Sequence, residues 1–261
     1  MHKESYEPWL RTARPTLQAS VRLICFPFAG GGVLPYRSWG SILGPSVDVL
    51  PIQLPGRDGR FGEPLCRRMD ELVSRLAGAL TPLLDVPTAF YGHSMGASIA
   101  YYLSRRLREQ AGKLPMHLFV GARRAPHLPE RLPFRHELSQ DELLRELRRM
   151  GGTPEEVLNN AELRALFLPI LLADFELIEL TRYRTATPLE CPITAFRGAL
   201  DTEQSAEQME AWCHHTSVGF EQVILPGGHF FLTSEAPLLL QELSKRLGEL
   251  RHHTAHPPPS V

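Results

Sequence analysis

The sequence predicts an α/β fold in which a mostly parallel central sheet is flanked by helices on both faces. Three observations carry that prediction. Short runs rich in β-branched and aromatic residues alternate with runs whose apolar residues recur at helical spacing, the pattern of strand-helix-strand units. One strand-like run, 87–91, breaks into Gly92-His93-Ser94-Met95-Gly96 and continues as a helical run from Ala97 towards Gly112. No strand pattern occurs over 139–184, where three helical stretches interrupt the alternation and read as an insertion.

Composition narrows the function classes. A chain of 261 residues with 43% hydrophobic and 22% charged residues has the makeup of one ordinary globular domain, expected over 21–250. The net charge is −1, from 28 basic and 29 acidic residues, which provides no general attraction to nucleic acid or to acidic membranes. Cys25, Cys66, Cys191 and Cys213 are scattered without a C-x-x-C pair, so neither a metal site nor a disulfide framework is expected. The first twenty residues lack the apolar core of a secretion signal, and no run approaches membrane-spanning length; a soluble, cytoplasmic monomer is the expectation.

In chain order, 1–20 reads as an irregular arm that Trp9 packs onto the body. The run 21–28 (VRLICFPF) is a buried strand that enters Ala29-Gly30-Gly31-Gly32. Apolar residues around Trp39 give a helix over 34–43, and VDVLPIQL a strand over 47–54. Leu65, Met69, Leu72, Val73, Leu76, Leu80 and Leu83 keep helical spacing over 65–84 and lead back to the strand before Ser94. The helix after the serine is followed by a strand over 116–121. The insertion then supplies helices over 140–150, 154–159 and 161–183. Ser139 and Glu142 form a capping box for the first. The third is apolar over much of its surface and suits a lid lining an apolar substrate channel. The basic cluster Arg145, Arg148 and Arg149 reads either as a solvated face or as a docking site. The alternation resumes with a strand over 192–198, a helix over 205–213, a strand over 220–225 and a closing helix over 237–250. Residues 251–261 read as a disordered tail, with His252, His253 and His256 belonging to it rather than to a metal site.

The central pentad is a G-x-S-x-G pattern with a strand before it and a helix after it, the setting in which a tight turn exposes a serine hydroxyl. Glycines on both sides let backbone pass close to that turn. A serine needs an adjacent base to become a nucleophile, and the base needs a carboxylate to orient it. In the α/β-hydrolase layout the acid and then the histidine follow on loops after late strands. Ser94, Asp201 and His229 satisfy both order and placement. His93 lies inside the turn, His214 and His215 at a helix end, Asp174 within the insertion; Glu203 is the runner-up acid. The glycine run after the first strand lacks the Lys-Ser/Thr ending of a phosphate-binding loop. It instead suits half of an oxyanion hole, from the N–H of Ala29 or of Phe28 beside it, with the Met95 N–H as the other half. Such a set performs acyl transfer to water; esters, thioesters and amides are all open to it.

The runs FPFAGGG, QLPGR, YGHSMG, RRAPHL and GGHFFL, in this order, resemble the type II thioesterases of polyketide and nonribosomal peptide pathways. The likeness extends over about 9–247, nearly the whole chain. The resemblance implies an α/β-hydrolase fold with an inserted helical lid. It implies hydrolysis of acyl groups from the phosphopantetheine arm of acyl or peptidyl carrier proteins, clearing stalled or misprimed modules without a cofactor or metal of the enzyme's own. It assigns the triad to Ser94, Asp201 and His229 and the oxyanion donors to Ala29 and Met95. Two departures stand out: Asp201 is followed by Thr202 where the family often has proline, and Leu171-Leu172-Ala173-Asp174 replaces a frequent Leu-Arg-Ala-Asp. A carboxylesterase or lipase is the enzymatic alternative, and a catalytically idle carrier-binding module the non-enzymatic one.

Overall fold

The computed structural model describes residues 6–10, 15–16 and 18–255. Six strands, β1 (Val21–Phe26), β2 (Val47–Pro51), β3 (Thr88–His93), β4 (His117–Gly121), β5 (Ile193–Gly198) and β6 (Phe220–Leu225), form one sheet in the order β2-β1-β3-β4-β5-β6. Every pairing is parallel, with Val21 opposite Val47 and Arg22 opposite Thr88 on the two sides of β1. The helices are α1 (Trp39–Leu43), α2 (Met69–Leu80), α3 (Met95–Ala111), α4 (Gln140–Met150), α5 (Glu155–Asn159), α6 (Ala161–Glu179), α7 (Ala206–Glu210), α8 (Phe231–Ser234) and α9 (Ala236–Ala255).

The near-continuous apolar character of β1 follows from burial on both faces. Val21, Leu23 and Cys25 join the core beneath α1 and α9, whereas Ile24 and Phe26 join the larger core beneath α2 and α3. The chain leaves β1 towards β2 on one side and returns through α2 to β3 on the other. That reversal creates a topological switch point at the carboxyl ends of β1 and β3, the place where open parallel sheets bind ligands. The insertion, α4 to α6, lies above it, and Leu143, Leu147, Leu168, Leu171 and Phe175 extend the α3-side core upwards.

Several boundaries differ from the sequence expectation, and each difference has a local cause. β1 stops at Phe26 because Pro27 has no N–H to continue a ladder. The helix expected over 34–43 divides into a 3-10 turn, Leu34–Tyr36, and α1. The run 65–84 begins as helix only at Met69 and ends in a 3-10 turn at Thr81–Leu83, started by Pro82. α6 stops at Glu179 rather than 183, and α7 gives way to a 3-10 segment, Ala211–His215. The last helix runs to Ala255, through the first five residues assigned to the tail; 256–261 and half of 1–20 lie outside the described residues. Trp9, among the described residues of the arm, is buried under the Arg60 guanidinium at 4.4 Å, and its carbonyl accepts from the Gln53 N–H at 2.8 Å. Among the described residues, no helix is long and apolar enough to cross a membrane.

Candidate active site

Ser94 sits between β3 and α3 with φ 53° and ψ −114°, outside the regions an L-residue prefers. The strain persists because the surroundings leave no alternative. A Cβ on Gly92 would run into the Gly96 carbonyl, and one on Gly96 into the carbonyl of Phe26. Backbone therefore passes where side chains would be, and the Ser94 N–H is tied to the Gly121 carbonyl at 2.8 Å. The serine is the pivot between a buried strand and a buried helix.

The loops after β5 and β6 bring the other two groups to it. His229 Nε2 is 3.1 Å from Ser94 Oγ, and His229 Nδ1 is 3.1 Å from Asp201 Oδ2 and 3.3 Å from Oδ1. An ionised carboxylate only accepts, so Nδ1 carries the proton and Nε2 is left free to accept from the serine hydroxyl. Burial on its own would raise the pKa of Asp201. The hydrogen bond and charge of His229, together with the N–H groups of Glu203 and Gln204, outweigh burial and hold the carboxyl below its ordinary value. Glu203, the runner-up acid, points elsewhere: its buried carboxylate takes Arg149 at 2.5 Å and Arg135, while only its backbone N–H serves Asp201, at 2.8 Å. Arg148 is likewise engaged, with Glu155 at 3.2 Å, so two members of the basic cluster work inside the insertion and its seat.

Met95 is the first residue of α3, where backbone N–H groups have no acceptor within the helix. Ala29 lies in the loop after β1, beside Gly30, whose own N–H is committed to Asp174 Oδ2 at 2.8 Å. Ala29, Ser94 and His229 share a cavity of about 220 Å³ roofed by the apolar side chains of Phe167, Leu171 and Phe175 from α6. The sequence departure at Leu172, in place of arginine, does not leave the insertion unattached. Asp174 receives both terminal nitrogens of Arg57, at 2.6 and 2.7 Å.

One functional neighbour escaped sequence reasoning. His93, set aside as a rival base, is wholly buried, and its Nε2 lies 2.8 Å from the His229 carbonyl while its Nδ1 lies 3.2 Å from the Tyr91 hydroxyl. Because a carbonyl only accepts, Nε2–H donates to His229 and Nδ1 accepts from Tyr91. Burial, followed by the nearby His229 ring, lowers its pKa to about 3, so the ring is neutral and holds the His229 backbone. Its place next to the serine in sequence carried no sign of this, since the partner is 136 positions away.

A thioesterase-domain family model matches residues 21–247, nearly the whole described chain. The chain belongs to the thioesterase family. Among its relatives, a Brevibacillus parabrevis protein named linear gramicidin dehydrogenase LgrE is 41% identical over 252 residues, covering 95% of this chain and 96% of its own. Thioesterase PikA5 of Streptomyces venezuelae is 36% identical, covering 92% of this chain and 85% of that one. The first name denotes a redox enzyme, whereas the matched model and the second name denote thioester chemistry. Among solved structures, RedJ, a thioesterase from the prodiginine pathway of Streptomyces coelicolor, is 38% identical. It superposes with a TM-score of 0.81 over 90% of each chain. This thioesterase is accordingly a hydrolase of α/β-hydrolase fold acting on thioesters, which sets aside both the lipase and the idle-module alternatives.

Proposed function

We propose that this thioesterase removes short acyl groups from the phosphopantetheine arm of acyl or peptidyl carrier proteins, editing stalled or misprimed polyketide or nonribosomal peptide synthase modules. The observation that carries the reading is the hydrogen-bonded relay Ser94-His229-Asp201 under an apolar roof at the sheet's switch point. Ser94 Oγ attacks the thioester carbon as His229 Nε2 takes its proton, and Asp201 stabilises the imidazolium that forms. The N–H groups of Met95 and Ala29 receive the oxyanion, each contributing about 3 kcal/mol to lowering the barrier. Collapse expels the pantetheine thiolate, which His229 protonates. Water, deprotonated by His229, then attacks the acyl-serine, and the second collapse frees the acid and restores Ser94. Protein groups and water serve every step.

The cavity of about 220 Å³ beside Ser94, roofed by Phe167, Leu171 and Phe175, supports a short acyl chain. A relative named for gramicidin S biosynthesis and a structural neighbour titled as a type II thioesterase of an NRPS/PKS biosynthetic pathway support the carrier-bound substrate. On this reading the enzyme is a cytoplasmic monomer that meets its carrier proteins in solution. Hydrolysis of acetyl-, propionyl- and longer acyl-carrier proteins is to be compared with simple esters, with Ser94→Ala in parallel. Short acyl-carrier protein is expected to be turned over fastest and Ser94→Ala to abolish all turnover. Equal or faster hydrolysis of esters would overturn the substrate assignment, and turnover surviving the alanine substitution would overturn the nucleophile.

A further inference from the structure

The loop Phe28–Gly32 is held by a residue that belongs to the insertion. Asp174 Oδ2 accepts from the Gly30 N–H at 2.8 Å and from Arg57 Nη1 at 2.6 Å, and Asp174 Oδ1 accepts from Arg57 Nη2 at 2.7 Å. Arg57 Nη1 also donates to the Gly31 carbonyl at 3.2 Å. The two charged side chains are 7% and 2% exposed. Consecutive residues of the loop are thus gripped through their backbone by one ion pair, just beyond the Ala29 N–H. Gly30 adopts φ +73°, and Phe167 and Leu171 of α6 pack where its side chain would be.

We infer that Asp174, acting through Arg57 and Gly30, is a positioning residue that sets the oxyanion loop, so the oxyanion hole is complete only when the insertion is seated. The inference rests on the reading of Ser94 as nucleophile and Ala29 as donor. A buried ion pair is weak support for a fold, because two apolar side chains of similar volume serve stability as well or better. Apolar side chains have no acceptor for the Gly30 N–H and no donor for the Gly31 carbonyl. Stability and loop geometry therefore come apart when both partners are replaced, and a hinge of α6 that withdrew Asp174 would loosen the oxyanion loop.

The test is the double variant Arg57→Met/Asp174→Leu, read by thermal unfolding and by steady-state kinetics on the small thioester S-acetyl-N-acetylcysteamine, which needs no carrier docking. Unfolding is expected to stay cooperative and well above the assay temperature even with the Gly30 and Gly31 partners lost, with kcat down about 10²-fold, the scale of one oxyanion donor, and KM within about threefold. Folded double variant with wild-type kcat would overturn the inference, as would a loss confined to KM. Should the double variant not fold, Asp174→Asn, which keeps an oxygen for Gly30 while removing the charge, reads the same split. A kcat about tenfold below wild type at unchanged KM supports a positioning role, and an unchanged kcat overturns it. Ser94→Ala assayed alongside separates the two claims: turnover surviving there refutes the nucleophile, independently of what the Asp174 variants do.

Discussion

Replacing His93 by phenylalanine keeps the ring and its packing among Phe28, Phe230 and Phe231 but removes both nitrogens. Two buried groups lose their partners, the His229 carbonyl and the Tyr91 hydroxyl. An unsatisfied buried polar group costs about 1–3 kcal/mol, so the variant is expected to lose roughly 2–6 kcal/mol. In a chain of this size that lowers the melting temperature by roughly 4–24 °C. The His229 backbone also loses its anchor, so its Nε2 no longer holds its 3.1 Å distance to Ser94, and kcat is expected to fall at least tenfold. His93→Gln, which offers both an N–H donor and an oxygen acceptor, is expected to recover part of both losses. Calorimetry with kcat measured well below the melting point checks the pair. A His93→Phe protein that melts within 1 °C of wild type and retains full kcat would refute the assigned role of this ring.

Two further outcomes follow from the charges around the site. Glu203→Gln removes the carboxylate shared by Arg135 and Arg149; since Arg149 is 39% exposed, the expected loss is about 2–3 kcal/mol, below that of a fully buried pair. Denaturant unfolding should show it, and a change under 0.5 kcal/mol would mean that the network is ornamental to the fold. Stability should also fall as pH drops. Burial holds His93 at about 3, and burial together with neighbouring positive charge holds His117 and His215 at about 4. Between those values and the unfolded pKa of about 6.5 the unfolded chain binds more protons, so stability is complete above pH 6.5 and declines towards pH 4. Urea titrations at pH 7 and pH 5 test the sign; equal stability at both would contradict neutral burial of these rings.

Much of the fold is legible from residue patterns because its determinants are local. β1 shows as an apolar run, α4 shows its Ser139-Glu142 capping box, which the structure contains, and the Ser94 turn shows its two glycines. Boundaries shift where a proline or a 3-10 turn competes with periodicity, as at Pro27 and at Pro82. The site is legible in part. Ser94, Asp201 and His229 follow an order that a strand-ended layout imposes, and the structure brings their side chains within hydrogen-bond distance. Asp201 and Glu203, two residues apart, look alike in sequence; burial beside His229 or beside arginines tells them apart only after folding.

From sequence alone come the alternation of strands and helices, the tight serine turn, the helical insertion and the family resemblance, since each rests on spacing within a short stretch or on the order of such stretches. Tertiary structure alone decides which distant groups meet. Arg57 and Asp174 are separated by 117 positions and His93 and His229 by 136, and nothing in either neighbourhood specifies the partner. Such pairs exist because folding removes water from both members at once, so each must satisfy its charge or hydrogen bond with groups brought from elsewhere in the chain.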